Sequence, residues 1–277
     1  MALMLALGSG LTFGIADFAG GLAAKRAPAT SVTLVSQAIG LTVLLPLLGV
    51  LPGAPSTAAL VSGGLAGIAG ALGVAAYLRA LALGPMGLVA PLASVVGVMV
   101  PVIVGLTAGE RPSAIAATGI ALGLVAVTVV AGGDRRPDAE RSGGAGPLLA
   151  LAGGGLFGVF FVLLDLTPAG SGLWPLVGAR IASLTLMGLL VAVAGRRLPP
   201  RAALPAVALS GALDMAANIL FLLATRAGLL TITALLASLY PVVVVVLARQ
   251  VLAERLRRVQ VIAVALALVS VAAITVG

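Results

Sequence analysis

The feature that most constrains this chain is a succession of long apolar runs that carry almost no charge. A helix that crosses a bilayer needs about 20 consecutive, mostly apolar residues. Strands of a membrane barrel would instead alternate apolar and polar residues. Polar and turn-forming residues divide the sequence into ten continuous apolar runs, at 2–23, 32–51, 58–82, 86–108, 113–131, 147–166, 174–194, 203–224, 229–250 and 258–276. We therefore predict an all-α membrane protein with ten transmembrane helices, numbered here as spans 1 to 10.

The composition agrees with this class and excludes several kinds of chemistry. Hydrophobic residues make up 61% of the chain and charged residues 9%, whereas a soluble domain carries about 25% charged residues. The chain has no Cys and no His, which excludes disulfides, thiolate nucleophiles, imidazole bases and metal sites that need those ligands. No G-x-S-x-G or Walker lysine motif is present. We predict that the protein is not an enzyme and has no metal or cofactor.

The basic residues lie in short clusters between the apolar runs. The net charge is +8, but the clustering is typical of topology signals and lipid headgroup contacts rather than of nucleic-acid binding. We number the segments between consecutive spans as connections 1 to 9. The odd-numbered connections hold eleven basic residues, whereas connections 4 and 8 hold only Arg111 and Arg226. The eleven are Lys25, Arg26, Arg135, Arg136, Arg141, Arg196, Arg197, Arg201, Arg255, Arg257 and Arg258. This bias predicts cytoplasmic odd connections and both termini outside.

The sequence also contains an internal repeat. An offset of 144 residues aligns 92–111 with 236–255, where eight of twenty positions are identical. The same offset aligns Glu110-Arg111 with Glu254-Arg255 and Phe13-Gly14 with Phe157-Gly158. A polar, glycine-rich linker at 132–146 therefore separates two five-helix repeats, at 1–131 and 147–277.

An odd number of spans per repeat has a topological consequence. The second repeat must enter the membrane in the opposite sense to the first. Inverted repeats are a recurring architecture of secondary transporters, in which the halves rock around a central site. We therefore predict two inverted five-helix repeats around a central cavity.

Residues at the ends of spans 4 and 9 carry a family resemblance. They are Pro91-Leu92-Ala93-Ser94, Pro101 and Gly109-Glu110-Arg111 in the first half, and Leu236-Ala237-Ser238-Leu239-Tyr240-Pro241 with Leu252-Ala253-Glu254-Arg255 in the second. The chain resembles ten-span EamA transporters of the drug/metabolite transporter superfamily, with Ala253 standing where a Gly is usual. The resemblance implies a basket of helices around a central cavity and export of amino acids, metabolites or toxic compounds. Family members are often drawn with cytoplasmic termini, so the resemblance and the charge count leave the orientation open.

Polar groups inside the spans are the candidates for a substrate path. Ionisable groups at membrane depth are costly and usually face a cavity or a partner. The path candidates are Asp17, Gln37, Tyr77, Ser94, Arg180, Asp214, Asn218, Ser238 and Tyr240. Arg180 could hold a substrate carboxylate or phosphate, and an acidic residue could carry a coupling proton. Two alternatives stay open: an Arg180–Asp214 pair that only joins spans 7 and 8, and snorkelling of Asp17 or Arg180 from a helix end.

Prolines and helix-end charges have both a functional and a structural interpretation. Pro91, Pro101 and Pro241 lie in spans 4 and 9 and are hinge candidates, since proline frees a backbone carbonyl and kinks a helix. Many membrane helices simply tolerate proline. The pairs Glu110-Arg111 and Glu254-Arg255 are interpreted as charges that fix helix boundaries.

These observations predict a secondary active or facilitative transporter. It would export small polar metabolites such as amino acids by alternating access, from a multi-pass position in the cell inner membrane. Its partners would be the lipid bilayer, a small-molecule substrate and a coupling proton, with no nucleic acid, in a monomer or homodimer. The alternative is a channel or pore-type permease for small solutes, although no filter-like segment is present.

Overall fold

The computed structural model describes residues 2–51, 53–107, 113–133, 145–226, 240–254 and 258–276. These ranges contain ten α-helices and no β-strand, so the all-α class is confirmed for the described part of the chain. The helices are α1 (Ala2–Ala24), α2 (Ala29–Leu44), α3 (Thr57–Leu83), α4 (Met86–Thr107), α5 (Ala114–Gly133), α6 (Ala145–Asp165), α7 (Trp174–Val193), α8 (Leu204–Arg226), α9 (Tyr240–Val251) and α10 (Arg258–Val276).

Six helical segments of the described residues are long and apolar enough to cross a membrane. They are Met4–Ala24, Ala29–Gly49, Thr57–Leu83, Ala145–Leu164, Trp174–Val193 and Arg201–Ala224. Shorter apolar segments occur at Met86–Gly97, Tyr240–Val251 and Val264–Ala273. Multiple membrane-crossing helices are therefore confirmed, and the count of ten spans stays a prediction.

Local sequence signals explain where several helices begin and end. The Ser56 hydroxyl accepts a hydrogen bond from the Ala59 amide at 3.1 Å and caps the start of α3. Span 2 was predicted to continue to residue 51, but α2 ends at Leu44 and a 3₁₀ turn covers Leu45–Gly49. Pro46 lies in that turn, and it lacks the amide that a continuing α-helix would need.

Each half of the chain packs its first helix against the other half. Helix α1 lies antiparallel along α8. Two contacts show this direction: Ser9 donates to the Ala217 carbonyl at 2.9 Å, and Gly20 lies against Ser210. Helix α6 lies along α3 in the same manner. The two halves are therefore interleaved rather than side by side.

Helices α2 and α7, which the 144-residue offset relates, are in direct antiparallel contact. Gly40 faces Arg180, whereas Leu34, six residues earlier, reaches Gly188. As residue numbers rise in one helix, they fall in the other. Two equivalent helices therefore run in opposite directions.

Equivalent positions also make equivalent close contacts. A Cβ on Gly67 would overlap the backbone of Ala179, and a Cβ on Gly211 would overlap that of Ser36. Gly67 and Gly211 are 144 residues apart, and each brings the third helix of one half against the second helix of the other. Glycine is needed here because any side chain would separate the two backbones.

The connections between helices gather at two ends of the bundle. At one end, Glu254 lies beside Met86 and Gly21 contacts the Met86 side chain, so connections 1, 3 and 9 are neighbours. Ser210, near the start of α8, lies against Gly20 and brings connection 7 to the same end. We call this the basic end. The described basic residues of its connections are exposed: Lys25, Arg26, Arg196, Arg197, Arg201 and Arg258.

The opposite end brings connections 2 and 6 together. The Ala54 amide donates to the Gly170 carbonyl at 3.3 Å. Residues 45–56 and 166–173 contain no charged residue, so this neutral end contrasts with the basic end. The asymmetry matches the charge bias counted from the sequence.

We expect Gly63→Ala to destabilise the fold strongly and Gly64→Ala to have little effect. A Cβ on Gly63 would overlap the Pro175 backbone, whereas a Cβ on Gly64 would have its nearest neighbour at 3.8 Å. Overpacking of this kind costs about 1–3 kcal/mol, and more when backbone must move. The measurement is the temperature at which half of the detergent-solubilised protein loses its monodisperse elution peak. Equal losses for the two variants would contradict close α3–α7 packing.

Candidate functional site

An ion pair joins α7 and α8 in the interior of the bundle. The Arg180 Nη2 atom lies 2.6 Å from the Asp214 Oδ2 atom, and the side chains are 8% and 26% exposed. Arg180 is the seventh residue of α7. Its side chain is buried and pairs with Asp214 on the neighbouring helix. The snorkelling alternative is therefore wrong for Arg180, while the predicted pairing of these two residues is confirmed.

Asn218 supports the same helix segment. Its Nδ2 atom donates to the Asp214 backbone carbonyl at 2.8 Å. The two side chains lie one turn apart on one face, as their spacing predicts. The Asn218 amide bonds the backbone of Asp214 rather than its carboxylate.

Asp17 on α1 lies opposite Asp214 on α8. The Ser9–Ala217 and Gly20–Ser210 contacts bracket both residues on the antiparallel pair α1 and α8. The Asp17 carboxylate is close enough to Asp214 for electrostatic interaction. Both aspartates keep some accessible surface although helices surround them, as expected of residues that line a cavity.

Two tyrosines adjoin Asp17 from other helices. Tyr77 on α3 and Tyr240 on α9 both interact electrostatically with Asp17. The Tyr77 hydroxyl faces the Asp17 carboxylate but makes no hydrogen bond of normal geometry. The Tyr77 ring also packs edge-on against Phe157, with ring centroids 5.5 Å apart. Asp17 is therefore flanked by aromatic hydroxyl groups as well as by Asp214.

Several buried polar atoms around this group lack a hydrogen-bond partner. The Tyr77 hydroxyl, the Ser94 hydroxyl and the Gln37 Oε1 atom belong to this set. The Ser94 hydroxyl faces Tyr240 without reaching normal hydrogen-bond geometry. A buried unsatisfied polar group costs about 1–3 kcal/mol. Such groups are suited to a polar solute that passes through and supplies the missing partners.

We call the group formed by Asp17, Tyr77, Arg180, Asp214 and Tyr240 the central polar cluster. Its members come from α1, α3, α7, α8 and α9, so both halves of the chain contribute. Ser94 on α4 is buried beside Tyr240, and Gln37 on α2 is also buried. All of these residues are sequence candidates, but of their contacts only the Arg180–Asp214 pair was among the alternatives drawn from the sequence.

Two sequence candidates, Ser238 and Pro101, do not receive a described side-chain position. Ser238 lies outside the described residues, and the side chain of Pro101 is likewise not described. Helix α4 runs without interruption through Pro91 and Pro101. Pro241 is the second residue of α9 and is buried. A hinge role for these prolines stays a prediction.

Glu254 makes a contact that the sequence analysis missed. Its Oε1 and Oε2 atoms accept hydrogen bonds from the Met86 and Gly87 amides at 3.1 and 3.2 Å. A carboxylate at a helix N-terminus is stabilised by the free amides and by the helix dipole. Glu254 therefore caps α4 of the opposite half, rather than only marking the end of α9.

The backbone before Glu254 is strained. Ala253 has φ 51°, a conformation that costs a residue with a Cβ roughly 1–2 kcal/mol and that Gly adopts freely. This explains physically why Gly suits position 253. The turn directs the Glu254 side chain toward α4.

A second residue missed at the sequence level is Thr33. Its hydroxyl is fully buried and lacks a hydrogen-bond partner. Thr33 lies four residues before Gln37, so both side chains occupy one face of α2. The spacing from Gln37 was the available signal.

Comparison with known proteins finds a family match for the second half of the chain. Residues 144–276 match the EamA-like transporter family. Over these residues the second half of the chain is similar to an EamA-like transporter domain. The resemblance drawn from its sequence motifs is thereby confirmed, and the match is consistent with the drug/metabolite transporter superfamily. Together with the apolar helices, the match supports a multi-pass membrane protein and points to a transporter class.

The fold of the whole chain also has a solved counterpart. A structure titled only "Crystal structure of protein" superposes with a TM-score of 0.64 at 20% sequence identity. The match covers 98% of this chain and 97% of that chain, so the likeness in fold extends beyond the EamA-like domain. No curated protein matches the sequence.

We expect the ion pair inside the EamA-like domain to show strong energetic coupling. Asp214→Leu alone should cost about 3 kcal/mol, the lower end for breaking a buried pair, because the Asp214 side chain is 26% exposed. The double variant Arg180→Met/Asp214→Leu should be more stable than Asp214→Leu, since no unpaired guanidinium is left inside. A double-mutant cycle on thermal stability measures the coupling. Additive losses would contradict a direct pair.

Proposed function

We propose that this protein is a secondary active or facilitative transporter that exports small polar metabolites, such as amino acids, by alternating access. The observation that carries the proposal is the central polar cluster, whose charged and hydroxyl groups come from helices of both halves inside an apolar bundle. A purely structural ion pair would not need Asp17, Tyr77 and Tyr240 around it. Ionisable groups inside a membrane protein usually mark a substrate or ion path.

The helix directions support two inverted repeats. The equivalent helices α2 and α7 run antiparallel, and the glycine contacts at Gly67 and Gly211 repeat at the 144-residue offset. Helices α1 and α8 are also antiparallel, as ten alternating spans require. The first half, 1–131, is then a second EamA-like repeat, joined to 147–277 by the linker.

Contacts between the halves at each end supply candidate gates. At the basic end, Glu254 holds the start of α4. At the neutral end, Ala54 bonds Gly170. Alternating access requires that one set of contacts opens while the other stays closed. The basic end faces the cytoplasm of the inner membrane in this proposal, because exposed Lys and Arg residues are concentrated there.

Transport by purified protein in proteoliposomes tests the proposed function. We expect saturable efflux or uptake for one or more members of a radiolabelled amino-acid panel. Asp17→Asn should reduce that flux about tenfold or more, because it removes a charge that a polar solute meets in the path. Proton coupling predicts that an imposed pH gradient accelerates the flux.

The matched control for this experiment is Thr118→Val. Thr118 is exposed on α5, and its hydroxyl already bonds the Ala114 carbonyl at 2.7 Å, so its removal should leave flux unchanged. Unsaturable ion current would overturn the carrier in favour of a channel. Flux that is unchanged in Asp17→Asn would remove Asp17 from the path.

The gate at the basic end is tested by thiol accessibility, because the chain has no native Cys. We expect Glu254→Ala to raise the labelling rate of Ser94→Cys by an impermeant maleimide added at the basic end. The capping bonds are worth about 1 kcal/mol or more, which corresponds to about a fivefold shift toward the open form.

Arg258→Ala is the control for the gate, since it removes an exposed charge at the start of α10. Ala253→Gly should leave the labelling rate low, because Gly adopts the same backbone conformation without strain. Equal rates for Glu254→Ala and the parent Ser94→Cys protein would show that Glu254 does not hold this end closed.

A further inference from the structure

The charges of the central polar cluster do not balance. Arg180 and Asp214 neutralise each other at 2.6 Å, which leaves the Asp17 carboxylate. The groups that interact electrostatically with it include the two tyrosine hydroxyl groups and Asp214.

The described basic side chains nearest in sequence do not supply the missing charge. Arg79 on α3 and Arg249 on α9 are exposed, whereas Tyr77 of α3 is fully buried. With both aspartates ionised, the cluster carries one negative charge more than positive. A carboxylate away from water is costly unless a proton or a cationic group neutralises it, so a solute that brings one positive charge can take the place of the proton on Asp17.

We propose that the cluster selects solutes that carry a protonated amine, with Asp17 as the partner of the ammonium group and Asp214 as the residue that excludes anions. This inference rests on the proposed transport function and names its substrate class. A carboxylate accepts hydrogen bonds and an ammonium group donates three. The rings of Tyr77 and Tyr240 add faces that attract a cation.

Asp214 has a separate role in this selection. An anionic solute would have to displace Asp214 from Arg180 and then lie beside the Asp17 carboxylate. Both steps oppose binding, since like charges at short range repel and Asp214 would lose its partner. A zwitterion is tolerated because its ammonium group meets Asp17. Removal of the Asp214 charge frees the guanidinium for a carboxylate ligand.

A charge series of equal chain length tests the inference. Butylamine, 4-aminobutyrate and butyrate have the same four-carbon chain and differ in charge. Ligand binding to the purified protein is measured as the dose-dependent rise in its unfolding temperature, at constant ionic strength. We expect stabilisation by butylamine and by 4-aminobutyrate, and none by butyrate.

Variants test the separate roles of Asp17 and Asp214 in ligand binding. Asp17→Asn should raise the apparent Kd for butylamine about tenfold or more, while Asp17→Glu should retain binding and so controls for folding. Asp214→Asn should gain a response to butyrate. Thr118→Val should behave like the wild type.

Two results would overturn the inference. One is stabilisation of the wild type by butyrate as strong as that by butylamine. The other is an unchanged butylamine response in folded Asp17→Asn. Binding is measured without transport, so the outcomes separate from those of the proposed function. Saturable flux together with binding that does not depend on ligand charge would overturn only the proposed selectivity. Charge-selective binding without any flux would overturn only the transport proposal.

Discussion

Helices in a bilayer gain little from hiding apolar side chains, because the surrounding lipid is as apolar as leucine. The bundle therefore depends on close contact between helix backbones, which glycine permits by leaving space at the crossing points. Gly67 against Ala179 and Gly211 against Ser36 are such contacts. They tie the second and third helices of opposite halves, so neither half is an independent layer. This interleaving also brings polar residues of the first half beside those of the second.

The same interleaving explains the central polar cluster. Arg180 and Asp214 come from neighbouring helices of the second half, and Asp17 reaches them because α1 of the first half lies along α8. A guanidinium group inside an apolar bundle needs a carboxylate partner. The pair therefore serves stability, and Asp17 places an additional carboxyl group beside it.

Glu254 shows that a structural cap can also connect the halves. Its carboxylate bonds two free amides at the start of α4, although it belongs to the connection between α9 and α10. The strained backbone at Ala253 is part of this arrangement, since it turns the chain where the cap must reach. Although this contact consists of only two hydrogen bonds, it joins the two halves of the chain at one end of the bundle.

The sequence by itself determined the class of the protein, most helix positions and the list of polar candidates. Length and apolarity of the runs are local properties, and so are the charge clusters and the EamA-like motifs of the second half. The run at 32–51 corresponds to a helical segment at Ala29–Gly49, whose last turn around Pro46 is 3₁₀ rather than α. The repeat at a fixed offset also came from the sequence alone.

Only the tertiary structure decided which candidates meet. The rotation of each helix about its axis is set by packing against its neighbours, and an apolar sequence around the whole helix carries little information about that rotation. This is why the sequence offered an Arg180–Asp214 pair only as one alternative and did not place Asp17 beside it. It is also why Glu254 was assigned to its own helix end rather than to α4. The sequence supplied the charges, and close glycine-mediated packing determined which of them are neutralised.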